Sequence, residues 1–199
     1  MIPRHLIIGM VVMLAAVLAM SFYAWHMRGR AGPGNPSAAN TQPVAPPVSG
    51  PTEQVTLYVA DDNTGVLQPR VARIPLPAGR QERAKELFRS LVDIYLDKSS
   101  AHPLAAGSEV RDVYLVDSGL AVIDLNAAFA DGHRSGVLVE QLTVASLVET
   151  LTANVPGIVR AKILVEGKER DTLAGHVDLT SFVEVPSIHQ LTAELQGTH

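Results

Sequence analysis

Apolar positions recur along this chain in two rhythms, one typical of strands and the other of helices. Alternating apolar and polar residues, rich in β-branched side chains, predict strands with one buried face. These predicted strands are Val55–Ala60, Val66–Ile74, Glu109–Val116, Gly119–Leu125, Ile158–Val165 and Thr172–Val177. Pro69 lacks an N–H, so the second strand is expected at a sheet edge or a bulge. The run Leu120–Ile123 is nearly all apolar, which predicts a strand covered on both faces.

Apolar residues at steps of three and four predict two helices. The first covers Arg80–Asp97 and sets one apolar face opposite a charged one. The second, Gly136–Ala153, is apolar around most of its circumference and is expected at the centre of the core. Its polar exceptions, Thr143, Ser146 and Thr150, share one stripe. Buried hydroxyls usually bond back to carbonyls of their own helix, so the stripe is expected to be structural, with ligand binding as the alternative.

The order of these segments, β-β-α-β-β-α-β-β, predicts an α+β domain. Its strands would form one open β-sheet of paired strands, with two helices packed on one face. We place this domain at residues 55–186 and expect residues 187–199 to fray as a C-terminal tail, because few of them can pack. The segment Asp61–Gly65 could suggest a calcium loop. It lacks the spaced ligands and the distal glutamate of such loops, so a plain turn is the prediction.

An uncharged segment at residues 6–25 predicts a transmembrane helix. Twenty helical residues span about 30 Å, the thickness of the hydrocarbon core of a bilayer. Tyr23 and Trp25 lie at its C-terminal end, where interfacial aromatic residues belong. A cleaved secretory signal is the alternative, but its apolar stretch would be shorter and would end in a small-residue cleavage site.

The segments that flank this helix set the expected topology. Residues 1–5 would be a short cytoplasmic head, and residues 26–54 have the Pro, Gly, Ala and Ser content of a disordered tether. Arg4 precedes the helix and Arg28 and Arg30 follow it, so flanking charge leaves the orientation nearly balanced. Because the tether is suited to lift a domain off a membrane, we expect a single-pass protein of the bacterial cytoplasmic membrane. Its domain would lie on the extracytoplasmic side.

Charge and cysteine content exclude several functions. From Val55 to Pro186 there are 13 Lys and Arg against 18 Asp and Glu. Neither nucleic acid nor an anionic lipid surface is therefore expected as the main partner of the domain. The chain has no cysteine, which excludes disulfides, thiolate metal sites, a cysteine nucleophile and an anchor on a lipidated cysteine.

Seven residues carry side chains that could support catalysis or metal binding: Asp124, Asp131, His133, Glu140, Glu166, His176 and Asp178. Two histidines with nearby carboxylates could bind zinc. However, no HxH or HxxxH pair occurs, and no third ligand lies at a usual spacing. A Ser-His-Asp arrangement has no nucleophile-elbow motif to support it, and the glycines occupy turns instead of a phosphate-binding pattern. We therefore assign no catalytic, cofactor-binding or metal-binding residue.

Two of these residues have a simpler structural interpretation. His133 follows Asp131 and Gly132 in a segment with the composition of a turn, so Asp131 and His133 are expected to be solvated. His176 follows Gly175 near a predicted chain reversal, where its imidazole could bond a backbone carbonyl and hold the loop.

Five stretches between Val55 and Phe182 follow one another in a characteristic order and spacing. They are VTLYVAD; ERAKELFRSLV on the first helix; HPLAAGSEVRDVYLVDSGLAVIDLNAAF through the central hairpin; GVLVEQLTVASLVETLTANVPGIVRAKILVEG through the second helix and the next strand; and TLAGHVDL. Together they resemble the GerMN domain, a module named after a spore-germination protein and found in other bacterial envelope proteins.

This resemblance implies an interaction domain similar to the ring-building modules of envelope assemblies, a class without a known reaction. Spore-associated members often carry two copies, whereas this chain carries one, which leaves open a process other than sporulation. We therefore expect a non-enzymatic, membrane-anchored interaction or assembly domain that needs no cofactor. Its partner would be another envelope protein or a second copy of itself. The alternatives are an envelope domain that binds a small ligand, such as a glycan or peptidoglycan fragment, and then a hydrolase.

Overall fold

The computed structural model describes residues 50–116 and 118–197, and the elements below belong to these residues. The strands are β1 (Thr52–Asp61), β2 (Val66–Pro75), β3 (Val110–Val116), β4 (Leu120–Leu125), β5 (Arg160–Val165) and β6 (Val183–Glu184). The helices are α1 (Arg80–Leu96), α2 (Ala127–Asp131), α3 (Val137–Asn154) and α4 (Val185–Gly197). The predicted head, the transmembrane helix and the tether up to residue 49 lie outside the described part. Within it, none of the helices combines the length and apolarity needed to cross a bilayer.

The strands form two sheets instead of the single open sheet expected from the sequence. β1 and β2 make an antiparallel hairpin of ten residue pairs. The second sheet has the order β3-β4-β5-β6, in which β4 and β5 are parallel and the other two pairs are antiparallel. The α+β class is confirmed. The prediction of a single sheet is wrong, because side chains of α3 occupy the edge of β1 with which a further strand would have to pair.

The two predicted helices are confirmed, as α1 and α3, to within one residue at each end. Two more helices are present in the described residues. α2 has only five residues, too few to show a period, and begins where the Asn126 side chain accepts from the Phe129 N–H at 2.9 Å. Phe129 is fully buried and fixes this short helix on the core.

The C-terminal part differs most from expectation. Residues 187–197 do not fray but continue α4, whose Val185 and Ile188 are buried and whose Leu191 and Leu195 pack on the core. The predicted strand Thr172–Val177 does not form; one isolated bridge joins Thr172 to Asp178. Residues 166–182 instead make an irregular segment between β5 and β6, which we call the strap.

The two faces of the four-stranded sheet differ in burial. Val113, Ile123 and Ile163 lie in register on β3, β4 and β5, and none is exposed to solvent. They mark the inner face. Buried residues of α1 and α3 extend this core: Ala84, Leu87, Phe88, Leu91, Leu142, Leu147, Val148 and Leu151. On the other, outer face Leu120 and Val122 are only partly buried, so the prediction that β4 is covered on both sides is wrong.

Candidate functional site

Ser146 and Thr150 of the polar stripe, with Asn154 at the end of α3, close the free edge of β1. Ser146 Oγ donates to the Tyr58 carbonyl at 2.6 Å, and Thr150 Oγ1 accepts from the Tyr58 N–H at 2.9 Å. One turn further, Asn154 bonds both the N–H and the carbonyl of Thr56, at 3.2 and 2.7 Å. Four helical residues rise about 6 Å and two strand residues about 7 Å, so the two repeats match. The expectation that Ser146 and Thr150 bond back to their own helix is therefore wrong.

Tyr95 of α1 completes this contact from the other side. Its hydroxyl lies 2.5 Å from Ser146 Oγ and accepts from the Ala60 N–H at 2.8 Å. Burial raises the pKa of Tyr95 to about 12, so the phenol stays protonated. The stripe is thus a saturated structural contact between α3 and β1.

A second polar cluster lies at the start of α3 and is centred on the hydroxyl of Thr143. This oxygen lies 2.8 Å from His102 Nε2 and 2.7 Å from His133 Nε2. It also bonds the Val139 carbonyl of its own helix at 3.0 Å, the back-bond that the sequence predicts. Two loops distant in sequence, which contribute His102 and His133, therefore meet at one buried oxygen of α3.

The Nδ1 atoms of both imidazole rings are also hydrogen-bonded. His102 Nδ1 lies 2.6 Å from the Asp62 carboxylate, and His133 Nδ1 lies 2.7 Å from the Arg134 carbonyl. The guanidinium of Arg134 donates to the same carboxylate at 2.9 Å and closes the ring of contacts. We call Asp62, His102, His133, Arg134 and Thr143 the histidine cluster.

Part of this cluster has the connectivity of a catalytic triad. Asp62 and Thr143 contact opposite nitrogens of His102, as the acid and the nucleophile do in a serine hydrolase. However, Thr143 has no solvent exposure and His102 is 1% exposed, so a substrate could not reach the hydroxyl. The hydroxyl is moreover engaged by three groups. The cluster therefore joins loops to α3 and does not present a nucleophile.

Burial lowers the pKa of both His102 and His133. For His102 the Asp62 carboxylate opposes this effect and Arg134 adds to it. Each Nδ1 faces an oxygen that accepts, so a neutral ring carries its proton on Nδ1. The Thr143 hydroxyl has one proton, so it can donate to only one of the Val139 carbonyl and the two Nε2 atoms at a time. The expectation that His133 is solvated is wrong, since it is 8% exposed.

Glu140, one turn into α3, holds the strap through its carboxylate. The side chain has no solvent exposure and accepts from the N–H groups of Ala174, His176 and Val177 at 2.9–3.1 Å. It also accepts from Nδ1 of His176 at 2.9 Å. Burial alone would raise the pKa of this carboxyl, but the strap N–H groups and the imidazole together lower it to about 2. Glu140 is therefore a structural anchor for the strap.

The ring of His176 contacts a carboxylate, not the backbone carbonyl that the sequence suggests. Ser135 Oγ also approaches it, at 3.3 Å from Nδ1. Hydroxyl and carboxylate thus share one nitrogen of the ring, whereas a relay needs them on opposite nitrogens. The geometry of Ser135, His176 and Glu140 does not activate the hydroxyl.

The other residues considered from the sequence lie apart and serve turns or surface ion pairs. Asp124 accepts from the Gly167 N–H at 2.7 Å, and Glu166 accepts from the Ala127 N–H at 2.8 Å. Both also pair with Arg111, at 3.3 and 3.1 Å.

Asp131 and Asp178 lie on exposed segments. Asp131 is solvated, as the sequence predicts, and pairs with Arg170 at 2.6 Å. Asp178 accepts from the Thr180 N–H at 2.8 Å within a turn. Among the described residues no three His, Asp or Glu side chains converge in a way that could hold a metal ion. In the predicted turn after β1, Asp61 accepts from the Asn63 and Thr64 N–H groups, as a plain turn requires.

The outer face of the four-stranded sheet carries an exposed apolar surface formed by Tyr114, Val116, Leu120, Val122 and Phe182. Tyr114, Val116 and Phe182 are 51%, 45% and 48% exposed. Tyr114 lies in register with Val122, and Val116 with Leu120, so the side chains form two adjacent rows. The sequence signal for this surface is the pair of unbroken apolar runs at residues 113–116 and 120–123, which put apolar side chains on both faces of β3 and β4.

Basic residues border the outer face. Arg160 lies in register beside Leu120, and its guanidinium carbon is 4.9 Å from the centre of the Phe182 ring. Lys162 lies beside Val122, and its ammonium is 5.8 Å from the same ring. The cations hold Phe182 at the border of the sheet through cation–π attraction.

Two open clefts lie near the hairpin. The larger, about 490 Å³, lies between the hairpin tip and the end of α1, and its charged lining residues are Asp61, Arg70, Asp93 and Asp97. The smaller, about 420 Å³, lies between β2 and α4 and includes Glu149 and His189. Glu149 is engaged there by Thr192 at 3.1 Å and by His189 at 3.4 Å.

Comparison with known proteins finds one family. The family model Germane, described as "Sporulation and spore germination", matches residues 56–171. No curated protein matches the chain.

Three solved structures are similar in part. The first GerMN domain of the sporulation protein GerM from Bacillus subtilis is 20% identical, with a TM-score of 0.45, and the match covers 65% of this chain and 94% of that one. The tandem GerMN domains of the same protein are 21% identical, with a TM-score of 0.49, over 66% of this chain and 45% of that one. A candidate lipoprotein from Clostridium perfringens is 20% identical, with a TM-score of 0.47, over 69% of this chain and 89% of that one.

Proposed function

Because this chain belongs to the GerMN-type family of sporulation and spore-germination domains, we propose that it is a membrane-anchored, extracytoplasmic interaction or assembly domain of the bacterial envelope. The observation that carries this proposal is the outer face of the four-stranded sheet. Tyr114 and Val116 stay about half exposed on β3, and Phe182 does so beside Arg160 and Lys162 of β5. Contiguous apolar surfaces of this kind mark contacts with other proteins.

The composition of the outer face supports a protein partner. Tyrosine, phenylalanine and arginine are enriched at protein interfaces, and Tyr114, Phe182 and Arg160 all lie on this face. A sheet face with apolar rows, bordered by Arg160, offers a flat contact instead of an enclosed pocket. The partner is another envelope protein or a second copy of this chain.

The remaining polar residues support a role without catalysis. His102, His133 and Thr143 of the histidine cluster, Glu140 and the α3 stripe are each buried and hydrogen-bonded to protein groups. A reactive site needs an accessible nucleophile or acid beside a tuned base. In the described part of the chain, the residues that could supply those roles hold loops and strand edges together.

Membrane attachment rests on the sequence of residues 6–25, which is long and apolar enough to span a bilayer. The tether that follows would let the domain reach partners away from the membrane surface. This arrangement matches a domain that works by contact with other envelope components.

Site-specific photocrosslinking in the native envelope tests the proposal. A photoreactive amino acid is placed at Tyr114 or Phe182 of the full-length chain, and the control is Val137, which is 55% exposed at the start of α3. We expect protein adducts from the two outer-face positions, recovered in the membrane fraction, and none from Val137. Adducts of equal yield from all three positions would contradict a specific contact. A chain that leaves the membrane in carbonate wash would contradict the anchor.

Small-ligand binding is the second candidate function, and the 490 Å³ cleft favours it. Arg70, Asp93 and Ser99 line this cleft with charged and hydroxyl groups that a glycan or peptidoglycan fragment could bond. No aromatic residue lines it, although sugar rings commonly stack on such side chains. If soluble muropeptides shifted the amide resonances of Arg70 and Ser99 while those of Tyr114 stayed fixed, ligand binding would replace the interaction proposal.

A further inference from the structure

Two sheet edges in the described part of the chain, those of β1 and β3, are closed by side chains, whereas the outer edge of β2 is not. The α3 stripe closes β1. The side-chain amide of Gln81 closes β3, since it donates to the Val113 carbonyl and accepts from the Leu115 N–H at 3.2 Å. Open edges favour unwanted pairing, so such closure is common in folded proteins.

β2 is the exception. Thr56 and Tyr58 turn their backbone groups toward α3, so their register partners, Val71 and Pro69, belong to pairs that exchange no hydrogen bonds. In such pairs the N–H and carbonyl groups point away from the neighbouring strand. Val71 and Arg73 therefore turn both an N–H and a carbonyl outward. Pro69 has no N–H and turns only its carbonyl outward. Within residues 50–116 and 118–197 no backbone group bonds to them.

The middle of this edge is unobstructed. Residues 68–71 and residue 73 are exposed, and Val71 is 63% exposed. A large β-branched side chain at the centre of an open strand edge has no partner among the described residues of the same chain. From this geometry we propose that the outer edge of β2 pairs, antiparallel, with the same edge of a second copy of this chain.

The two-fold axis of this pairing lies at Val71. In that register Val71 faces Val71 of the second copy and exchanges two hydrogen bonds with it. Arg73 then faces Pro69 of the second copy, and its N–H donates to the proline carbonyl. Each proline, which cannot donate, is thus placed opposite a residue that can. The same match continues outward, where Pro75 faces Leu67.

The two neighbouring registers would lose hydrogen bonds or place like charges opposite each other. A shift of the axis to Ala72 would place Pro69 opposite Pro75, where neither residue has an N–H to donate. A shift to Arg70 would place two arginines directly opposite each other, and like charges so placed destabilise a strand pair. With the axis at Val71, Arg70 faces Ala72 of the second copy. Arg70 also lines the cleft that contains Asp61, Asp93 and Asp97, which offset its charge.

This contact is short, so its affinity in dilute solution is low. Attachment to a membrane would raise the effective concentration of the two edges. The pairing uses none of the outer-face residues, so it is independent of the function proposed above. Both β1–β2 hairpins would then join into one four-stranded antiparallel sheet across two molecules.

Disulfide trapping tests this pairing, because the chain has no cysteine of its own. The full-length Val71→Cys chain is purified in mild detergent and oxidised. Directly opposed residues of a hydrogen-bonded pair have Cα atoms about 5.5 Å apart, within the range of a disulfide. The matched control is Leu76→Cys, which is 55% exposed just after the end of β2. Its two copies would lie about 34 Å apart in this register.

We expect a disulfide-linked dimer from Val71→Cys in several-fold excess over Leu76→Cys. A mixture of Arg73→Cys and Pro69→Cys chains should give a mixed dimer faster than either chain dimerises alone. Equal yields from Val71→Cys and Leu76→Cys would overturn the proposal. So would preferential trapping of Tyr114→Cys, which would assign contact between copies to the outer face. If Val71→Cys is trapped only in envelope extracts, and there to another protein, the edge serves a foreign strand and the proposal fails.

Discussion

Buried ionisable residues in this domain form hydrogen bonds between segments that are far apart in the chain. His102 and His133 bring two loops to Thr143, and Glu140 brings the strap to α3. Each side chain is surrounded by protein groups that suit one protonation state. A change of that state therefore acts on stability first, through the difference in proton binding between folded and unfolded chains.

The histidines set an acid limit on stability. Burial lowers their pKa in the folded domain, while in the unfolded chain a histidine has a pKa of about 6.5. Above about pH 6.5 both states are neutral and the contribution to stability is complete. As the pH falls below that value, the unfolded chain takes up protons that the folded domain resists, so the free energy of unfolding should decrease.

Urea unfolding of a fragment of residues 50–197, measured from pH 7.5 to 5, checks this expectation. Glu140 adds little in this window, because its carboxyl stays ionised in the folded domain and takes up protons in the unfolded chain only near its ordinary pKa of 4.5. A variant with both His102→Gln and His133→Gln should lose most of the pH dependence, whatever its absolute stability. Unchanged pH dependence in that variant would mean that other groups control it.

At the scale of elements, α3 takes the place of a strand beside β1. Its polar residues are spaced by one helical turn: Ser146 and Thr150 bond Tyr58, and Asn154 bonds Thr56. This pairing satisfies the backbone of β1 without a strand and leaves α3 free to pack its apolar faces in the core.

Thr150→Val tests the stripe, because it keeps the shape of the side chain and removes the acceptor of the Tyr58 N–H. A partly buried N–H left without a partner should lower the free energy of unfolding by about 1–3 kcal/mol. Thr152→Val is the matched control, since that hydroxyl bonds only carbonyls of its own helix, at 3.0 and 3.3 Å. Similar losses in both variants, measured by urea unfolding, would show that the contact with β1 adds nothing.

The strap depends on hydrogen bonds from its backbone N–H groups to the Glu140 carboxylate. Glu140→Gln replaces one carboxylate oxygen by an NH₂ group, which cannot accept from the N–H groups around it. We expect a loss of about 1–3 kcal/mol and faster trypsin cleavage at Lys168 and Arg170 within the strap. Glu109→Gln, at an exposed position, is the control. A strap that stays equally resistant in both variants would contradict the anchoring role.

At the scale of the whole molecule, the position of the C-terminal boundary decides whether the domain is complete. The sequence places the domain at residues 55–186, but α4 continues to Gly197 and buries Ile188. A fragment of residues 50–197 should unfold cooperatively. A fragment of residues 50–186 should melt at a lower temperature, because a buried Ile side chain contributes roughly 1.5–3 kcal/mol. Equal melting temperatures, measured by circular dichroism, would show that α4 is not part of the domain.

The sequence by itself determined the parts of this protein that depend on neighbouring residues. The bounds of α1 and α3, the hairpins and the α+β class follow from periodicity and turn residues, which are local. Pro69 indicated an edge strand because its missing N–H restricts it wherever the strand lies. The predicted anchor at residues 6–25 is of the same local kind and stays a prediction.

Only the tertiary structure decided which polar groups meet. Asp62 and His102 are 40 residues apart, Glu140 and His176 are 36 apart, and Asn154 and Thr56 are 98 apart. No local pattern carries such a pairing, because the partner of a buried hydrogen bond is chosen by how the segments pack. The same reason explains the split into two sheets. α3 lies along the edge of β1 where a further strand would have to pair, and no local pattern in the sequence predicts that position. The strap and α4 are stable where they are because buried charges and apolar side chains from distant segments hold them there.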